Sequence, residues 1–205
     1  DNKMQILERT ISGEGILTEI TRKFNPEIGF GEKEFASMLF YLGYLTIRGN
    51  LIGKAKLQIP NLIMRELYSS YFMELVNNKA NLKIDQNDYN EIIEQIAYRG
   101  EITKLTELLH IYLNNLSNRD FQRFDEKYIK LICYCLAMNL KIFSVKSELE
   151  VNRNYPDLLI TPHDKTKGYK SVMIEFKYLK KNEFQRLTEK QKEAKEQIER
   201  YGEFE

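Results

Sequence analysis

Between residues 32 and 42 the apolar residues Phe35, Met38, Leu39 and Leu42 recur at spacings of three and four, the period of a helix, and Gly43 closes the segment. YLTI and AKLQI then read as a short hairpin turning at Gly49 and Asn50, and Pro60 ends it. Asn61 is placed to cap the next helix, LIMRELYSSYFMELV, with a stripe of Leu62, Leu67, Tyr71 and Leu75. Residues 87–116 give two amphipathic helices broken at Gly100, one carrying Ile92, Ile93 and Ile96, the other Leu105, Leu108, Leu109, Tyr112 and Leu116. A further helix over 125–139 is apolar nearly all round at LICYCLAM, which predicts burial on several sides, against a sheet. The period then changes to two in KIFSVKS, PDLLITP and SVMIEFKY, separated by turn residues Asn152, Asn154, Pro162 and Gly168. Residues 187–201 form a polar helix with a thin stripe of Ala194, Ile198 and Tyr201. Helix, three strands and helix make an α/β core.

The order helix, hairpin, helix over residues 1–78 resembles a winged-helix-like or lid module, with a small core expected from Phe35, Leu39, Leu42, Leu62 and Leu67. Residues 79–120 read as a helical connector and 121–205 as the second domain. A chain that starts without Met and stops within a helical pattern reads as a fragment of something longer.

Composition narrows the function. The chain has 205 residues, enough to bury a core without disulfides or structural metals. Thirty-one Lys and Arg against thirty Asp and Glu give a net charge of +1, so any basic surface must be local. The longest apolar runs fall far short of a membrane span, which needs roughly 18 residues, and DNKMQILERT has no signal-peptide core. Cys133 and Cys135, the only cysteines, read as reduced thiols inside an apolar helix of a cytoplasmic protein. With only His110 and His163, zinc or a His-based triad has little raw material. GNLIGKA spaces its glycines wrongly for a phosphate-binding loop. Carboxylates and lysines must carry any chemistry.

The hairpin of PDLLITP and SVMIEFKY offers them. Strand alternation sets Val172, Ile174 and Phe176 on one face and Met173, Glu175 and Lys177 on the other. Pairing centred near Thr166 puts Asp157 opposite Glu175, with β-carbons about 4.5–5.5 Å apart. Two like charges so close need a compensating cation, which a divalent metal or Lys177 can supply. Without it, an amide at either position should leave folding intact or raise stability. An oxygen-only ligand set favours magnesium or manganese.

NYPDLLI followed by MIEFK resembles the proline, aspartate, spacer, glutamate, any residue, lysine pattern of the PD-(D/E)XK nuclease superfamily. More closely, SELEVNRNYPDLLITP, MIEFKYLKK and AKEQIERY are similar to the nuclease-like domain C-terminal to AAA-ATPase-like proteins, and FYLGYLTIRGN and LQIPNLIMRELY to the segment between the two. The resemblance implies a restriction-endonuclease-like core, a small mixed sheet flanked by helices. It further implies that Asp157 and Glu175 hold the metal, that Glu126 is the helical acid beside them, that Lys177 orients or activates the attacking water, and that Gln197 is a polar residue of the following helix near the site. Glu126 reads equally as a helix-start carboxylate favoured by the dipole, and Gln197, on a polar helix, reads as surface. Glu148 and Glu150 read as surface acids, Glu150 within reach of the metal, and His163 as a solvated loop residue.

Residues 165–195 hold nine lysines and Arg186 against four glutamates, a net of +6 around these acids. A phosphate backbone suits such a patch; a lysine-rich exposed hairpin and helix is the plain alternative. Two functions follow. One is metal-dependent hydrolysis of a nucleic-acid phosphodiester, DNA first, with an ATPase domain in the same parent protein. The other is a non-catalytic binding or regulatory module of an ATPase, favoured by the absence of glycine from NRNYPD.

Overall fold

The computed structural model describes residues 2–24, 31–116, 126–147 and 156–202. They form a mixed α/β chain with two antiparallel three-stranded sheets, and the chain divides into two compact units, residues 1–72 and 73–205. Among the described residues no helix is long and apolar enough to cross a membrane.

In the first unit, α1 (Asn2–Ile11) and α2 (Glu32–Tyr41) accompany a sheet of β1 (Ile16–Thr18), β2 (Thr46–Leu51) and β3 (Lys54–Gln58) in the order β1-β3-β2. Ile6, Ile11, Ile16, Ala36, Leu45, Leu57 and Ile59 are buried. Gly15 has a positive φ of 74°, and a β-carbon there would lie 2.7 Å from the Leu57 carbonyl oxygen, so the approach of β1 to β3 admits only glycine. The hairpin is present, but its turn is Ile52-Gly53 and not Gly49-Asn50. Gly49 lies within β2 at a shift of register between Ile47 and Gly49. Ile52 and Gly53 both have positive φ, 48° and 73°, as a tight hairpin turn requires. A β-branched residue is strained there, and Ile52 is 94% exposed, so it has no packing to lose. Ile52→Asn is expected to raise the unfolding free energy by about 1 kcal/mol, read from urea denaturation; an unchanged midpoint would mean the turn relaxes without cost.

The helix after the hairpin, α3 (Leu62–Ala80), begins at the expected cap, the Met64 N–H donating to Asn61 Oδ1 at 2.9 Å. Its buried positions are Tyr68, Ser69, Phe72, Met73, Val76 and Ala80. The expected stripe is therefore displaced: Leu62, Leu67 and Tyr71 are exposed, as is Leu42 after α2. Apolar residues occur on every side of α3, so periodicity does not pick out the side that packs.

In the second unit, Asp85 and Asp88 form a reciprocal cap on α4 (Gln86–Glu94). The helix continues as a π-helical turn, Gln95–Arg99, and ends at Gly100 in the left-handed region, as the sequence predicts. α5 (Thr103–Asn115) buries Leu105, Leu108, Leu109 and Tyr112. α6 (Glu126–Ala137) is buried from Leu131 to Ala137 and at Tyr128, and contacts α5 and the first strand of the second sheet. Cys133 and Cys135 are free and buried, and burial pushes the Cys133 thiol up to about 12. β4 (Phe143–Ser147), β5 (Leu158–Pro162) and β6 (Val172–Ile174) form the sheet in that order. Val145 pairs Ile160, which pairs Val172; Ser147 pairs Leu158, which pairs Ile174. The buried side chains thus lie in rows across one face, while Leu159 and Met173 look to the other, half-buried face. After β6 a 3-10 segment, Lys181–Arg186, leads into α7 (Leu187–Gly202). On α7 Tyr201 is buried, but Ile198 is 37% exposed, and Gln197 stands on the inner side in its place.

Candidate active site

β5 and β6 run antiparallel with Leu158 against Ile174. Extended by one residue beyond the ends of both strands, the same register would set Asp157 opposite Glu175, on the face shared by Leu159 and Met173. Lys177 follows Glu175 by two residues, beyond the end of β6, and its Nζ donates to Glu175 Oε1 at 2.8 Å. The Glu175 side chain is only 6% exposed. Its second oxygen, Oε2, is buried with no hydrogen-bond partner among the described residues. A buried carboxylate oxygen in that condition calls for a missing proton, water or cation.

Asp157 is gripped from two sides. The Phe176 backbone N–H donates to Oδ2 at 2.7 Å, and Lys130 Nζ donates to Oδ1 at 2.5 Å. Lys130 belongs to α6, one turn after Glu126, and contacts Glu126 Oε1 at 2.8 Å. Glu126 therefore meets Asp157 through an ammonium group and not directly. For Lys130, burial favours loss of the charge, but the hydrogen bonds to Asp157 and Glu126 prevail and hold its pKa above the ordinary lysine value. The two acids that alternation brings together are thus already compensated, Glu175 by Lys177, as expected, and Asp157 by Lys130, which no motif reading had singled out. KYIKLICYCLAM carries a lysine four residues after Glu126, beside an apolar run, a spacing that points to a pair with Glu126 and not to Asp157.

Tyr201 closes the picture from α7. Burial first, then the negative charges of Glu175 and Asp157, push its phenol above the ordinary value, with Lys177 and Arg200 opposing. It therefore remains a neutral hydrogen-bond donor at physiological pH. Gln197, one turn earlier on the same side of the helix, has its Oε1 buried with no hydrogen-bond partner among the described residues, which removes the purely solvated reading of that residue.

His163 is exposed in the β5–β6 loop. Glu148, Glu150 and residues 152–155 fall outside the described residues. Among the described residues no group of three or more His, Cys, Asp and Glu side chains gathers as a ready-made metal cage. The donors on offer are the Asp157 and Glu175 carboxylates, hard oxygens that suit magnesium or manganese, and the unpartnered Glu175 Oε2 fits the part of a ligand atom.

The basic stretch divides in two. On α7 and just before it, Arg186 pairs with Glu189, Lys190 with Glu193, Lys192 with Glu196 and Lys195 with Glu199, so the helix largely neutralises itself. Among the described residues Lys165, Lys167 and Lys170 of the β5–β6 loop form no ion pair. That loop lies on the π-helical turn: the Lys170 N–H donates to the Ala97 carbonyl at 2.9 Å, the rings of Tyr98 and Tyr169 meet edge to face at 5.7 Å, and Lys167 Nζ stands 5.9 Å from the Tyr169 ring centre.

No curated protein and no solved structure matches the chain. A family model does match residues 124–205, the segment that holds Glu126, Lys130, Asp157, Glu175, Lys177, Gln197 and Tyr201, and that model describes the PD-(D/E)XK nuclease superfamily, whose members typically use divalent metals.

Proposed function

We propose that the second unit hydrolyses phosphodiester bonds of nucleic acid, DNA in the first instance, with magnesium or manganese held by Asp157 and Glu175. The observation that carries this reading is Glu175: almost wholly buried, one oxygen on Lys177, the other without a partner, and set by register opposite Asp157. When bound, the metal would polarise a phosphoryl oxygen and make water more acidic. The chain's own residues do the rest. The Phe176 amide and Lys130 fix the Asp157 carboxylate so that its position does not have to be selected at each encounter. Lys177 stands where its ammonium can orient the attacking water and stabilise negative charge developing on the phosphoryl group. The Tyr201 hydroxyl and the Gln197 amide supply neutral hydrogen-bonding groups on the α7 side. The unpaired lysines of the β5–β6 loop and the half-exposed tyrosine pair suit a phosphate backbone and its bases.

In this reading the first unit is a winged-helix-like module, the parent protein carries an AAA-ATPase-like domain, and the protein works in the cytoplasm. The experiment uses the full chain on supercoiled plasmid, linear single-stranded DNA and RNA, with magnesium and then manganese. Cleavage that chelation abolishes, and that Asp157→Ala and Glu175→Ala each abolish, is the expected result. Metal uptake without cleavage of any substrate would leave the non-catalytic module as the better reading. Binding of the plasmid should fall steeply with salt, and Lys165→Ala with Lys167→Ala and Lys170→Ala should flatten that dependence.

A further inference from the structure

We propose that Lys130 is a built-in second cation of the site, so that the acidic cluster takes up one divalent ion and not two. The inference rests on the metal-dependent reading above and deepens it. Paired-metal phosphodiester sites place two ions among shared carboxylates. Here the place between Asp157 and Glu126 is filled by an ammonium group of the chain itself. Lys130 Nζ contacts Asp157 Oδ1 at 2.5 Å and Glu126 Oε1 at 2.8 Å, joining α6 to the start of β5. An ion bridging the same two oxygens would need that same space, since metal-oxygen distances run at about 2.0–2.6 Å.

The charges point the same way. Among the described residues, Glu126, Asp157 and Glu175 bring three negative charges, Lys130 and Lys177 two positive ones, which leaves a net of −1. One divalent ion turns that to +1, suited to a phosphate diester. A second would bring two further charges into a half-buried cluster that already holds two ammonium groups. Lys130 is also not free to leave. Its side chain is 30% exposed, and its helix is buried at Tyr128 and from Leu131 onward, so moving the ammonium aside strips both carboxylates of the charge that compensates them. The buried carboxylate oxygen of the cluster without a hydrogen-bond partner among the described residues is Glu175 Oε2, which Lys130 does not contact. Lys130 thus acts through Asp157 and Glu126 as a positioning residue, and Glu126 holds Lys130 where a paired-metal site would have it hold an ion.

The test counts ions. Manganese is titrated into the full chain, bound and free ion being separated by electron paramagnetic resonance and the stoichiometry checked by calorimetry. Wild type and Lys130→Arg are expected to bind one manganese per chain, and Lys130→Gln and Lys130→Ala two. If a neutral variant is unfolded in metal-free buffer, its circular dichroism is followed as manganese is added: recovery of the fold together with uptake of two ions supports the proposal, and failure to recover overturns it. Two ions in wild type, or one ion of unchanged affinity in the neutral variants, would also overturn it. No ion in wild type would instead end the metal-dependent reading. A lysine with a merely structural role would shift the melting temperature and leave the count unchanged.

Discussion

Asp157→Asn should destabilise the metal-free protein by about 2–3 kcal/mol. From the sequence alone the opposite is expected, because an amide would relieve the repulsion between two acids on facing strands. The structure reverses the sign. Each oxygen of Asp157 accepts a hydrogen bond, one from the Lys130 ammonium and one from the Phe176 N–H, and an amide presents a donor to one of these two donors. The Asp157 side chain is 13% exposed, which leaves water little room to repair the loss, while Lys130, at 30%, keeps part of its hydration and moderates it. Charge-assisted bonds of this kind contribute about 1.5–3 kcal/mol, and breaking a fully buried pair costs about 3–5 kcal/mol; the partial exposure of Lys130 places the expected value near the lower range. Urea denaturation followed by circular dichroism measures it. Unchanged or increased stability would show that the acids do repel and that Lys130 does not compensate Asp157.

The second large effect is at Lys177. Lys177→Met should reduce cleavage about a thousandfold while metal affinity is kept or raised, because a cation competing for Glu175 has been removed. It should also lower metal-free stability, since the substitution leaves a carboxylate that is 6% exposed with no counter-charge. Saturating manganese should then restore more stability to the variant than it adds to wild type; at a hundred times the dissociation constant a ligand contributes about 2.7 kcal/mol. Melting curves with and without manganese, alongside the cleavage rate, separate the two roles of the lysine. Wild-type cleavage by Lys177→Met would remove it from the reaction, and an equal metal response in both proteins would remove it as the counter-ion of Glu175.

Local rules made much of this chain readable before any coordinates. Strand alternation is strictly two-fold, so the apolar Val172 and Ile174 had to oppose Met173 and Glu175 in facing, and turn symmetry was enough to set Asp157 against Glu175. Asn61, Gly43 and Gly100 declare helix boundaries because a cap or a left-handed residue is a local demand. LICYCLAM, apolar on all sides, could only be buried. What failed was whatever depended on the other surface. α3 offers apolar residues all round, and only its neighbours decided that Tyr68, Phe72 and Val76 go inside while Leu62, Leu67 and Tyr71 stay out. The hairpin turned at Ile52-Gly53 because the pairing of β2 with β3, bulge included, fixed the register over the local preference for Gly-Asn. The cation on Asp157 is the clearest case. Lys130 lies 27 residues from Asp157, on a different element, and no spacing rule connects them. The sequence determined which acids stand at the neighbouring ends of β5 and β6; the packing of α6 decided which ammonium neutralises Asp157, because electrostatic compensation acts through space and is blind to chain order.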